Sequence, residues 1–83
     1  HERYAALLPA MVEVLSAAAR SIADIKEMGR ALGRLETLQQ GWTDKAELAL
    51  SKGREDLAKQ ALGERQKAAD MAEELGAEMH QIE

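Results

Sequence analysis

The chain has no cysteine, no phenylalanine and a single proline, Pro9. Without cysteine there is neither a disulfide framework nor a thiolate metal site, an absence that fits a reducing compartment. Aromatic residues amount to 2% of the sequence, Tyr4 and Trp42 alone. With Val and Thr also scarce, there are too few strand-forming residues for a sheet. No apolar run approaches the length of a bilayer span. No signal-peptide pattern is visible. The chain begins at His1 rather than Met, which predicts a trimmed or partial chain.

Catalytic chemistry is equally scarce. His1 and His80 are the only histidines. His1 is terminal, and the acids around His80 (Asp70, Glu73, Glu83) do not reproduce a metal-ligand spacing. No Ser, His and Asp arrangement supports a nucleophile. Gly29 and Gly33 lack the strand context and the terminal Lys-Ser/Thr of a phosphate loop. The neighbouring acids Glu73 and Glu74 read as a solvated face, since a two-helix rod offers no cleft for paired-carboxylate catalysis. Met11, Met28, Met71 and Met79 read as core filler before an adaptable groove. The expectation is a non-enzyme with no cofactor and no metal.

What the sequence does contain is helix formers. Ala, Leu, Met, Glu, Gln, Lys and Arg dominate its 83 residues, enough for one small domain. The net charge is -4. Basic residues are spread among acidic ones up to Lys67. Beyond it come only acids: Asp70, Glu73, Glu74, Glu78 and Glu83. No basic patch of nucleic-acid type results, so no direct nucleic-acid partner is expected.

Apolar residues recur at Tyr4, Leu8, Met11, Leu15, Ala18, Ile22 and Ile25, alternating steps of four and three. This is a heptad seam, which implies pairing with another helix. The seam goes on through Met28, Leu32, Leu35, Leu38, Trp42, Ala46 and Ala49. Consecutive steps of three at Ile22-Ile25-Met28 and Leu32-Leu35-Leu38 predict local disturbance of the supercoil. Leu7, Val12, Val14, Leu48 and Leu50 widen the stripe and suggest more than one neighbouring helix. Pro9 predicts a break, a kink or a helix start near residues 8 to 10. Gly29, Gly33 and Gly41 weaken the helix by about 1 kcal/mol each relative to Ala.

Lys52-Gly53 is the best break. Gly53 suits a left-handed cap, and Lys52 suits the carbonyl end of the helix dipole. Glu55 and Asp56 then fall in the first turn of a second helix, where acids are favoured. Its seam runs through Leu57, Ala61, Ala68, Ala72, Leu75, Met79 and Ile82, thinner and richer in Ala than the first. A rival arrangement ends a helix at Gly41 and opens the next with Asp44 and Glu47 as a capping box, giving three short helices. The seam runs without a gap from Leu38 through Trp42 to Ala46, which favours one continuous helix. The fold class expected is therefore all-α: a long antiparallel two-helix coiled-coil hairpin turning near Lys52-Gly53. Its helices span about 10–52 and about 55–83, and its long arm measures about 75 Å.

Folding the chain about Gly53 pairs Ala46 with Ala61, Leu35 with Ala72, Leu32 with Leu75, Met28 with Met79 and Ile25 with Ile82. Lys26, Arg30 and Arg34 lie four apart on one strip, as do Asp70, Glu74 and Glu78 on the other. The expected helix-pairing charges are Lys26 with Glu78, Arg30 with Glu74 and Arg34 with Asp70, aiding register and orientation more than stability. The stripe of Tyr4, Leu8, Met11, Leu15 and Ile22 is left over. Either the natural chain continues past Glu83 as the missing part of the second arm, or another molecule covers this assembly stripe.

Around the turn the chain resembles a known family. Trp42, then Lys45-Ala46-Glu47-Leu48-Ala49-Leu50, Lys52, Arg54-Glu55-Asp56-Leu57-Ala58 and Ala61-Leu62 look like the hairpin tip of the phage shock protein A family. That family includes the vesicle-inducing protein in plastids and is grouped with ESCRT-III-like membrane-remodelling proteins. Val12-Glu13-Val14 and Ala19-Arg20 upstream, with Glu64, Gln66 and Lys67 downstream, agree more weakly. The likeness spans about residues 11 to 67, with heptad sequence of the same character on to Glu83.

The resemblance implies a coiled-coil hairpin with its tip at Gly53, which forms homo-oligomers by lateral hairpin packing. It implies a protein at the inner face of the cytoplasmic membrane that binds stressed, anionic lipid and preserves the membrane's integrity. The family's amphipathic N-terminal membrane helix and its downstream helices have no counterpart here. His1 to Pro9 is a poor substitute, so weak lipid binding is expected. The resemblance also implies an AAA+ enhancer-binding transcription activator as a partner, held inactive through the hairpin. The surface carried over for partners is the tip, Trp42 and residues 45 to 58, with Trp42, Lys45, Glu47, Lys52, Gly53, Arg54, Glu55 and Asp56 as its candidate contact residues. The alternative is a generic coiled-coil spacer with no membrane role.

Overall fold

The structure, a computed structural model, describes residues 2–82 without the side chain of Arg3; His1 and Glu83, named above, lie outside the described residues. It contains two helices, α1 (Glu2–Ser51) and α2 (Glu55–Ile82), folded back on each other as an antiparallel hairpin. The particle is a rod of 79 × 14 × 12 Å. Its length is that of α1, since 50 helical residues rise about 75 Å.

The turn falls at Lys52-Gly53. Gly53 has φ +71°, the left-handed conformation that glycine adopts without a Cβ penalty. Its N–H donates to the Leu50 carbonyl at 3.0 Å, and the Arg54 N–H donates to the Ala49 carbonyl at 2.8 Å. These two bonds form a Schellman cap that satisfies the last carbonyls of α1. The Arg54 carbonyl then accepts from the Ala58 N–H at 3.1 Å and so starts α2. Arg54 thus ends one helix and caps the next, which makes the reversal short.

Helix α1 is continuous through Gly41. Gln40 Nε2 donates to Asp44 Oδ1 at 3.0 Å, one turn across the glycine. Asp44 is thereby engaged inside the helix, so the three-helix arrangement does not form. The helix also starts earlier than residue 10 and runs through Pro9 without a break. Pro9 removes only the bond to the Ala5 carbonyl. This early stretch is exposed, so water satisfies that carbonyl.

Packing corrects the seam in four places, one of them Ile82, expected opposite Ile25 but exposed at the end of α2. On α1 the seam runs through Ile25, Met28, Leu32, Leu35, Gln39, Trp42, Ala46 and Ala49, in alternating steps of three and four, with Ala31, Gly41 and Thr43 half-buried on its flanks. Gln39 takes the position assigned to Leu38, which stands 47% exposed. A half-buried amide keeps the knobs-into-holes phase unbroken, whereas Leu38 in the seam would disturb it. On α2 the seam near the turn passes through Ala58, which is buried, and leaves Leu57 42% exposed. Ile22, expected in the seam, is exposed, because α2 covers α1 only back to Ile25. The fully buried positions are all alanines, Ala46, Ala58, Ala61 and Ala68, clustered toward the turn. Alanine there costs no side-chain entropy and lets the helices approach closely.

Candidate functional site

The Schellman turn and the Ala-lined seam place a groove of about 840 Å³ on one side of the hairpin tip. Trp42 and Leu48 from α1 face Leu57 and Gln60 from α2 across it. Trp42 sits at a seam position and is half-buried, so its ring is fixed by packing. Lys45, one turn along, lays its Nζ 4.4 Å from the centre of that ring, within cation–π range. Leu48 and Leu57 are both exposed.

The charges around the groove are unevenly placed. Lys45, Lys52, Arg54 and Lys67 line it, against Glu64 as the one acid. Glu64 holds Lys67 at 3.1 Å. Arg54 grips Asp56 through two bonds, Nε to Oδ1 at 3.1 Å and Nη2 to Oδ2 at 3.0 Å. This arginine, and then the Leu57 N–H, hold the Asp56 carboxyl below its usual range, and Arg54 is raised in return. Lys52 makes no ion pair among the described residues. In an acidic chain, this groove is apolar with a basic rim.

Of the tip residues named from the sequence, Trp42, Lys45, Lys52 and Arg54 come together in the groove, with Gly53 forming the turn beside them. Glu47, Glu55 and Asp56 are exposed but do not line it. Leu48 and Leu57, which lie within the tip segment of residues 45 to 58, and Lys67, which lies outside it, also line the groove. Leu48 looked like an extra apolar residue, and Leu57 had been placed in the seam.

The helix-pairing charges are arranged differently from expectation. Arg30 Nε and Arg34 Nη2 both donate to Glu27, each at 3.0 Å. Arg34, then Arg30, hold the Glu27 carboxyl below its usual range. Asp70 accepts from Gln66 at 2.8 Å within its own helix. The ion pairs among the described residues are all local in sequence. The seam register agrees with the expected one to within a residue, and only the charged rows are displaced, by about one turn. Arg34 shares a groove with Glu74 and Glu78, not with Asp70. On a solvated rim the nearest acid on the same helix is reached at less cost in side-chain entropy than one across the seam. Lys26 forms no ion pair among the described residues.

The assembly stripe lies on the part of α1 beyond the reach of α2. Tyr4, Leu8, Met11, Leu15 and Ile22 are each more than half exposed. Contrary to the expectation that no apolar run approaches a bilayer span, the N-terminal part of α1 is long and apolar enough to cross a membrane by length and composition. Isolated charges such as Glu13 interrupt the run without offsetting the surrounding Ala, Leu, Met and Val. Among the described residues no His, Asp and Glu cluster is arranged to hold a metal ion.

The family model described as the PspA/IM30 family matches residues 8–83. No solved structure matches the chain.

Proposed function

The chain belongs to the PspA/IM30 family, and from that premise we propose that it is a structural, non-enzymatic hairpin of a membrane-stress response. In this reading it assembles with its own kind at the inner face of the cytoplasmic membrane and helps maintain that membrane. The observation that carries it is the shape: a 79 Å rod whose large apolar side chains are exposed along the first half of α1. A rod of this kind offers surfaces along its length rather than an enclosed site. Anionic lipid is the membrane partner proposed, with weak binding expected for these 83 residues.

A second role belongs to the tip. The basic-rimmed groove between Trp42 and Leu57 favours docking of a protein partner, for which an AAA+ activator domain is the candidate. Co-sedimentation with anionic vesicles and pull-down with an activator domain test the two roles. Val14→Asp in the exposed stripe and Lys45→Glu at the tip separate them. Loss of pelleting from the first, and of capture from the second, supports the proposal. A chain that neither self-associates, pellets nor captures the domain is a spacer.

A further inference from the structure

We infer that the groove at the hairpin tip seats an acidic amphipathic helix of a partner protein, about three turns long, laid between α1 and α2 as a third helix. The inference rests on the proposed docking role of the tip and specifies the chemistry of the segment that docks there.

Its first support is the shape of the groove. Each hairpin helix lines it with one strip: Trp42, Lys45 and Ala49 from α1, and Leu57, Ala61 and Glu64 from α2, stepping by three and four. Between Trp42 and Lys52 α1 rises about 15 Å, the length of about three helical turns. The middle of the groove is apolar, where Leu48 and Leu57 stand exposed. Gly63 also lines it, and nothing lies within 4 Å of a Cβ added there, which leaves room for the backbone of a third helix. An extended peptide finds no such fit. Both helices pair their own backbones, and the cap at Gly53 satisfies the turn, so there is no free edge for a strand to join.

The second support is charge. Lys52 and Arg54 stand at the turn end of the groove and Lys45 and Lys67 toward the other end, with apolar residues between them. Asp56 answers Arg54, and Glu64 answers Lys67. Lys45 and Lys52 have no carboxylate partner among the described residues. Lys45 is held over the Trp42 ring, so its ammonium stays beside the groove. A helix with apolar residues three and four apart and acids on both flanks matches this pattern at both ends and in the middle. A single-headed lipid answers the cations at one end only. Past Lys67, α2 carries acids and no Lys or Arg, which repels the same helix from the stem and confines it to the tip.

The probe is an acetylated peptide of about 12 residues built from Ala, Glu and Leu, with its leucines four and three apart. Binding is read from Trp42, the one tryptophan in the chain. The inference expects a saturable change in emission that weakens with salt and is lost for a scrambled peptide. A peptide with Lys in place of Glu binds at least about tenfold more weakly, and Lys52→Glu narrows that preference. Gly63→Leu, a better helix former at an open site, keeps the hairpin by circular dichroism yet weakens the acidic peptide at least about tenfold. Peptide binding without capture of an activator domain upholds the seat and overturns only the activator as its occupant. Capture through Trp42 and Lys45 without peptide binding overturns the inference and leaves the docking role standing. Failure of both peptide and domain overturns both. Emission that answers to anionic vesicles or to chain concentration, and not to the peptide, assigns the groove to lipid or to a second copy and overturns the inference.

Discussion

Arg65 Nη1 lies 3.3 Å from Thr43 Oγ1 and donates to it across the hairpin, between residues 22 apart in sequence. It is the side-chain hydrogen bond that joins α1 to α2 among the described residues. Thr43 in turn donates to the Gln39 carbonyl at 3.2 Å, so its hydroxyl is oriented to receive the arginine. Nine residues further from the turn on each helix, the same register sets Arg34 level with Glu74. This contact therefore shares the register in which the charged rows are displaced by one turn.

Because the contact is exposed, its energetic weight is small. Thr43→Val should cost about 0.5 kcal/mol, the low end for an intramolecular hydrogen bond, since solvent competes for the arginine. Arg65→Leu should leave stability unchanged or raise it while loosening the register. Urea unfolding followed by circular dichroism reads the first effect. The register is read by the yield of a disulfide engineered between Ala46 and Ala61. A Thr43→Val loss above about 2 kcal/mol would contradict this placement of the contact at the solvated edge.

Two glycine substitutions should act with opposite signs. Both sites have open space around an added Cβ, so sterics do not decide between them. Gly53→Ala forces a left-handed φ on alanine and should destabilise the hairpin by about 1 kcal/mol. Gly41→Ala sits in regular helix and should stabilise it by up to about 1 kcal/mol. Equal signs in thermal unfolding would mean that the Gly53 turn is not the hinge.

Trp42 should be the largest single side-chain contributor near the tip. It is half-buried at a seam position, and Trp42→Ala should cost about 2 kcal/mol, less than for a fully buried ring. As the one tryptophan in the chain, it also reports on the groove by fluorescence. Lys45→Ala removes the cation from its face and should change emission with little loss of stability. An unchanged spectrum would place Lys45 away from the ring in solution.

Acid should weaken the hairpin through two named carboxylates. Glu27 and Asp56 have native pKa values lowered by their arginines. A lowered native value means stability that is fully present above the ordinary carboxylate range. It is lost as pH falls through that range to the lowered native values. Both groups are exposed, so the effect is small and screened by salt. Melting temperature against pH at low ionic strength should fall less steeply for Glu27→Gln than for the unmodified chain. Identical slopes at low salt would show that the Glu27 cluster does not persist in water.

The turn was legible in the residues themselves. Gly53 can take a positive φ at no Cβ penalty, Lys52 precedes it, and Glu55 and Asp56 follow; each is a local preference that needs no partner helix. The helical content and the heptad spacing were legible for the same reason, as was the resemblance carried by the tip residues. The positions that depend on what lies across the hairpin were not. Hydrophobicity alone chooses Leu38 over Gln39 and Leu57 over Ala58. Packing chooses the reverse, because a seam position is defined by where its Cβ points relative to the other helix. The partner of Arg34 was equally hidden: sequence spacing matched it with Asp70, while the folded geometry gave it Glu27 on its own helix. Local backbone preferences thus decided that the chain is a hairpin and where it turns. Only the meeting of the two helices decided which residues form its seam and which remain exposed to bind.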